Sequence, residues 1–207
     1  MIPATRVAII DSGIHAGHPH IGCVAGGVAI ASDGSETSDF VDRIGHGTAV
    51  AAVIREKAPD AELYAVKIFD RKLSTGVPAL IHAIYWCAAH EIRWINLSLG
   101  TTNTEHAGLL QKAVDEACVQ GAAIVSAAEW LPGSLPGAIP VLLDWDCPRE
   151  ECRIEVREDG RTLYRASGFP RPIPGVPPER NLKGISFAVA NVTGLLASAK
   201  CNYPHGK

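Results

Sequence analysis

Residues 6 to 13 read Arg6-Val7-Ala8-Ile9-Ile10-Asp11-Ser12-Gly13, an unbroken apolar run that ends on a carboxylate and a glycine turn. So short and continuous an apolar run predicts a strand buried on both faces, which is the signature of a parallel sheet rather than of a half-exposed ribbon. A carboxylate at the end of such a strand is costly unless it has a partner, and strand ends are where open parallel sheets build their sites. The rest of the chain agrees with that start. Glu62 to Lys67, Arg93 to Leu97 and Ala122 to Ser126 read as further buried strands, alternating with helices at His46 to Lys57, Pro78 to His90, Glu105 to Gln120 and Ser186 to Ala199. The expected architecture is α/β: three layers, with a mostly parallel central sheet covered by helices on both faces.

Beyond Ile139 the pattern changes. Val141 to Trp145, Arg153 to Val156 and Thr162 to Tyr164 are strand-like and are separated by turn chemistry at Cys147-Pro148 and Asp159-Gly160, which predicts a hairpin-rich edge. Phe169 to Pro178 carries five prolines in ten residues and can only be a loop. No repeat or low-complexity linker divides the chain, so residues 1–207 read as one domain.

Bulk properties narrow the function classes. Of 207 residues 47% are hydrophobic, enough for one sizeable core. The net charge of -3 comes from scattered residues, which argues against nucleic acid or an anionic membrane as a partner. Met1 lies a few residues before the first strand and no window reaches the roughly 20 apolar residues of a membrane span, so the expectation is a cytoplasmic protein without a membrane partner. In that compartment the six cysteines are expected as free thiols, with Cys147 and Cys152 as the one pair placed to meet across a hairpin. His15, His18 and His20 fall within six residues, but they sit beside Pro19 in a loop and are read as solvated rather than as metal ligands.

Three segments carry chemistry. Asp11 ends the first strand. Gly45-His46-Gly47-Thr48-Ala49-Val50-Ala51 starts a helix on a histidine between glycines, so backbone can approach the imidazole closely. Gly184-Ile185-Ser186-Phe187-Ala188 opens another helix on a serine, where the helix N-terminus offers backbone donors for developing negative charge. Each segment alone has an ordinary structural reading; together and in this order they resemble the three signatures of the subtilisin-like serine proteases. Ala58 to Lys67 and Ile95-Asn96-Leu97-Ser98-Leu99-Gly100 are similar to further family segments, so the resemblance runs from about residue 6 to 200.

The resemblance implies a subtilisin-like fold and a serine endopeptidase in which Ser186 is the nucleophile, His46 the base and Asp11 its orienting carboxylate. It implies that Leu73-Ser74-Thr75 and Ser98-Leu99-Gly100 bind an extended peptide substrate as added strands. The family's oxyanion asparagine is missing: the strand ending at Ser126 continues Ala127-Ala128-Glu129-Trp130, and either Glu129 or Trp130 stands at its place. An indole N–H donates as it is, whereas Glu129 donates only if burial keeps it protonated. Ile185, Ala190 and Asn191 also depart from the pattern, and no calcium loop follows the His46 helix, so neither a structural calcium nor any cofactor is expected. The chain reads as a reduced member without propeptide, shortened at the C-terminus, with room for a partner domain or oligomer to complete it. Such a protein suits dedicated peptide maturation. The competing reading is a catalytically silent peptide-binding module of the same fold.

Overall fold

The computed structural model describes residues 4–201. Strands β1 (Arg6–Asp11), β2 (Gly26–Ile30), β3 (Glu36–Thr37), β4 (Glu62–Lys67), β5 (Trp94–Leu97), β6 (Ala123–Ala127), β7 (Ile139–Leu143), β8 (Arg153–Val156) and β9 (Thr162–Ala166) form one sheet in the order β3-β2-β4-β1-β5-β6-β7-β9-β8. From β2 through β9 each neighbouring pair is parallel; β3 and β8 close the two edges antiparallel. Helices α1 (His46–Lys57), α2 (Val77–Ala89), α3 (Ala107–Val119) and α4 (Ile185–Ala197) complete the layers.

Alternation along β1 divides the core. Val7 and Ile9 face a cluster that includes Val50, Val53 and Ile54 of α1 and Phe187, Val189 and Val192 of α4. Ala8 and Ile10 face the opposite way, toward Leu80 and Ile84 of α2 and Leu110 and Val114 of α3. Side chains on successive strand residues point to opposite faces, so one apolar run serves both helix layers. The expected three-layer α/β architecture is therefore present, with α1 and α4 side by side on one face.

Two expectations for the second half are corrected. Asp159-Gly160 does turn the β8–β9 hairpin, but β7 and β8 do not pair: β9 lies between them, parallel to β7. Pro148 to Glu151 is thus not a hairpin turn, and Cys147 and Cys152 are not opposite each other. Instead Cys152 forms a disulfide with Cys201, just past α4, while Cys147 is buried with a free thiol. The all-thiol expectation fails with it, since a loop and a helix end 49 residues apart are brought together only by α4 packing across β7 and β9. The sequence reading also passed over β2 and β3, whose Gly26-Gly27 start and two-residue length carry little strand signal.

Candidate active site

The C-terminal ends of β1 and β5 are adjacent, and the N-terminal ends of α1 and α4 lie over them. Asp11 ends β1 and is 1% exposed. Its two carboxylate oxygens stand 2.8 and 2.9 Å from His46 Nδ1, which therefore donates its N–H to the carboxylate. The approach depends on Gly47: a Cβ there would run into the Gly13 carbonyl oxygen and crowd Asp11, so the first turn of α1 can press onto the end of β1 only without a side chain. Burial by itself pushes the His46 imidazole down, but the hydrogen bond and charge of Asp11, aided by Asp42, outweigh it and hold the pKa above the ordinary histidine value.

Asp42 is a part of the site that the sequence reading missed. Its Oδ1 accepts from Ser12 Oγ at 2.9 Å and from the Ile44 and Gly45 N–H groups at 2.9 and 2.8 Å. Its Oδ2 accepts from Thr48 N–H at 2.9 Å and Thr48 Oγ1 at 2.6 Å. Ser12 Oγ in turn accepts from the Gly47 N–H at 3.0 Å. One carboxylate thus gathers the turn before His46, the first turn of α1 and the residue after Asp11 into one network. Desolvation pushes its pKa up, yet these hydrogen bonds bring it below the ordinary carboxylate value. An acidic residue four positions before a helix-starting histidine, where it can serve the helix N-terminus, was the available signal.

Ser186 lies in the first turn of α4, partly buried. Its Oγ donates to the Ser98 carbonyl oxygen at 3.3 Å, and Ser98 Oγ donates back to the Ser186 carbonyl at 3.3 Å. Behind them, Asn96 Nδ2 donates to Ser98 Oγ at 2.9 Å and Thr193 Oγ1 to Asn96 Oδ1 at 3.0 Å. The serine is therefore tied to the loop after β5, with His46 and the Phe187 ring 5.9 Å apart beside it. Among the described residues no hydrogen bond joins Ser186 to His46. Asn191, noted above as a departure, holds the loop that leads to the serine: its Nδ2 donates to the Ser167 and Phe169 carbonyls at 2.8 and 3.2 Å.

The remaining predicted residues are spread along the same edge. Ser98-Leu99-Gly100 follow β5 directly, whereas Leu73, 51% exposed, and Ser74 and Thr75 lie beyond β4, across β1 from them. Trp130 packs against Gly100, whose added Cβ would sit 2.7 Å from the Trp130 Cβ and 2.6 Å from the Leu131 carbonyl. Thr101 and Leu131 exchange two backbone hydrogen bonds of 3.0 Å, fastening the turn after β6 to the loop after β5. Glu129 is exposed, and it lines a cavity of about 600 Å³ that includes Arg157 and Arg161 but neither Ser98 nor Ser186. Glu129 is thus without the burial that its reading as a donor called for. Among the described residues no helix is long and apolar enough to cross a membrane.

A model of the subtilase family matches residues 3–128. The thermostable alkaline protease of Halalkalibacterium halodurans is 36% identical to this chain over 221 residues, covering 96% of the chain and 57% of that protein. Subtilisin E of Bacillus subtilis is 36% identical over 132 residues, covering 59% of the chain and 33% of that protein. The chain thus spans well under two thirds of these relatives. Two solved structures share the fold: a cold adapted subtilisin-like serine proteinase, with a TM-score of 0.68 and 20% identity over 93% of this chain and 74% of that one, and the prenylagaramide maturation protease PagA, with a TM-score of 0.67 and 23% identity over 94% and 74%.

Proposed function

Since this chain belongs to the subtilase family, we propose that it is a serine endopeptidase whose triad is Asp11, His46 and Ser186. The observation that carries this reading is the paired hydrogen bond of His46 Nδ1 to a buried Asp11, at the mouth of which Ser186 opens α4. With Nδ1–H held by Asp11, the lone pair of the imidazole lies on Nε2. Ser186 Oγ, released from Ser98, gives its proton to Nε2 as it attacks the scissile carbonyl, and Asp11 stabilises the imidazolium that forms. His46 then returns the proton to the leaving amine, and water repeats the sequence on the acyl-enzyme. The Ser186 N–H, one of the orphan donors of the first turn of α4, faces the developing oxyanion.

Ser98 to Gly100 receive the acyl half of the substrate as an added strand, with Leu73 to Thr75 flanking it across β1. We further read the enzyme as one dedicated to maturing a particular peptide. PagA is described as a maturation protease, and the altered turn at Glu129 and Trp130 suits narrow use better than rapid general digestion. The deciding experiment is incubation of the folded protein with a serine-directed fluorophosphonate followed by intact-mass and peptide analysis. An adduct on Ser186 that is lost in Ser186→Ala is expected; a folded protein that stays unlabelled would leave the silent binding module as the better reading.

A further inference from the structure

A cavity of about 650 Å³ opens beside the turn that carries His46, and none of the proposed substrate-binding residues lines it. Gly45, Thr48 and Ala49 of the His46 turn form one wall, and Asn181 and Leu182, on the loop that leads to Ser186, form another. It therefore lies between the turn that carries His46 and the loop that leads to Ser186, and shares no residue with Ser98 to Gly100. If those three residues hold the acyl half of the peptide, the space across His46 belongs to the half that leaves.

The charges in this cavity are uneven. Asp42 contributes the carboxylate, but its oxygens already accept five hydrogen bonds. Arg43 is paired with Asp39 at 2.7 Å and Asp70 at 3.5 Å. Arg171 differs: its Nη1 donates to the His20 carbonyl at 3.3 Å, and among the described residues it has no carboxylate partner and its Nε and Nη2 make no hydrogen bond. His15, His18 and His20 line the same space, with His18 Nδ1 already accepting from the His20 N–H at 3.2 Å. Burial first, then the charges of Arg171 and His18, hold His20 below its ordinary pKa, which disfavours a second positive charge on the His20 ring beside Arg171. Glu56, which acts on His20 from outside, is already paired with Arg149. Ile173 and Leu182 line the same space with 45% and 50% of their surface exposed, leaving apolar walls to cover.

We propose that this cavity is a subsite for a carboxylate on the leaving half of the peptide, bound by the Arg171 guanidinium, with the three histidines as supporting donors. The inference rests on the peptidase reading. A guanidinium with an uncommitted edge matches a carboxylate in a two-point hydrogen bond, the geometry that lysine cannot reproduce. The carboxylate comes from an acidic side chain shortly after the cut or from the C-terminus of a short leaving fragment.

An internally quenched peptide library separates these sources. Peptides share one acyl half, and the leaving half carries Glu or Gln at each of the first three positions and ends in an acid or an amide. In wild type, kcat/KM should favour Glu over Gln, or acid over amide, by about tenfold, the scale of one charge-assisted hydrogen bond. Arg171→Gln should abolish that preference while leaving cleavage of the Gln amide peptides within about twofold, and Arg171→Lys should keep only part of it. Fluorophosphonate labelling of Ser186 in each variant reports an intact site. An enzyme that labels but shows neither preference, or keeps its preference in Arg171→Gln, overturns the subsite alone. Absence of labelling in wild type overturns the peptidase reading and the subsite with it.

Discussion

The two sides of the candidate site are built to different standards. On the side of the base, Asp11, Ser12, Asp42 and Thr48 form a network in which each carboxylate oxygen has a partner and His46 Nδ1 faces both Asp11 oxygens. On the side of the oxyanion, the turn after β6 carries no amide, Glu129 points to solvent, and Trp130 and Leu131 are spent on packing and pairing with Gly100 and Thr101. A base needs one orientation and one tautomer, so a rigid hydrogen-bonded frame serves it. Charge stabilisation needs donors aimed at an atom that exists only during reaction, and losing one such donor costs about 2.7 to 4 kcal/mol. The difference teaches that the frame around His46 rests on side-chain hydrogen bonds, whereas the turn at Glu129 and Trp130 rests on backbone pairing and packing.

The contrast breaks first at Asp11. Asp11→Asn should lower kcat by about 10⁴-fold at neutral pH, because an amide facing Nδ1 favours the wrong imidazole tautomer, and single-turnover acylation measures it. Asp42→Ala should destabilise the fold by about 2 to 3 kcal/mol in urea unfolding, since it strands the Ser12 and Thr48 hydroxyls and the N–H groups of the α1 turn. If Asp42→Ala melts like wild type, the base side is not the more rigid of the two.

The pH profile sharpens the comparison. His46 must be neutral to accept the Ser186 proton, and its pKa lies above the ordinary value because of Asp11. Activity should therefore rise with pH through a midpoint above about 6.5, and Asp42→Asn, which removes one of the charges favouring the imidazolium, should move that midpoint down. A midpoint at or below the ordinary histidine value would contradict the assigned hydrogen bonds. The smallest effect belongs to the other side: Glu129→Gln should change kcat/KM by less than about twofold, because an exposed side chain on a solvent-facing turn has no transition-state contact to lose. A large fall would return Glu129 to the chemistry.

Much of this was legible in the chain itself. The apolar run to Asp11, the glycines around His46 and the serine opening a helix are local signals, since burial, close backbone approach and helix starts are each set within a few residues. The strand and helix positions around them follow from the same periodicities and differ from the structure by a residue or two at their ends. Asp42 was less visible, because its five hydrogen bonds come from three segments whose meeting is a tertiary event.

What only the tertiary structure decided are the pairings between distant elements. The insertion of β9 between β7 and β8 turned an expected hairpin into a parallel crossover, and Cys152 pairs with Cys201 while Cys147 stays a free thiol. The turn after β6 and the loop after β5 exposed Glu129 and committed Trp130 by closing on each other. Residue type determined which chemistry was available at Asp11, His46 and Ser186; the packing of α1 and α4 over the end of β1 determined that the segments carrying them meet, because distances between segments are set by the whole core and by no one stretch of it.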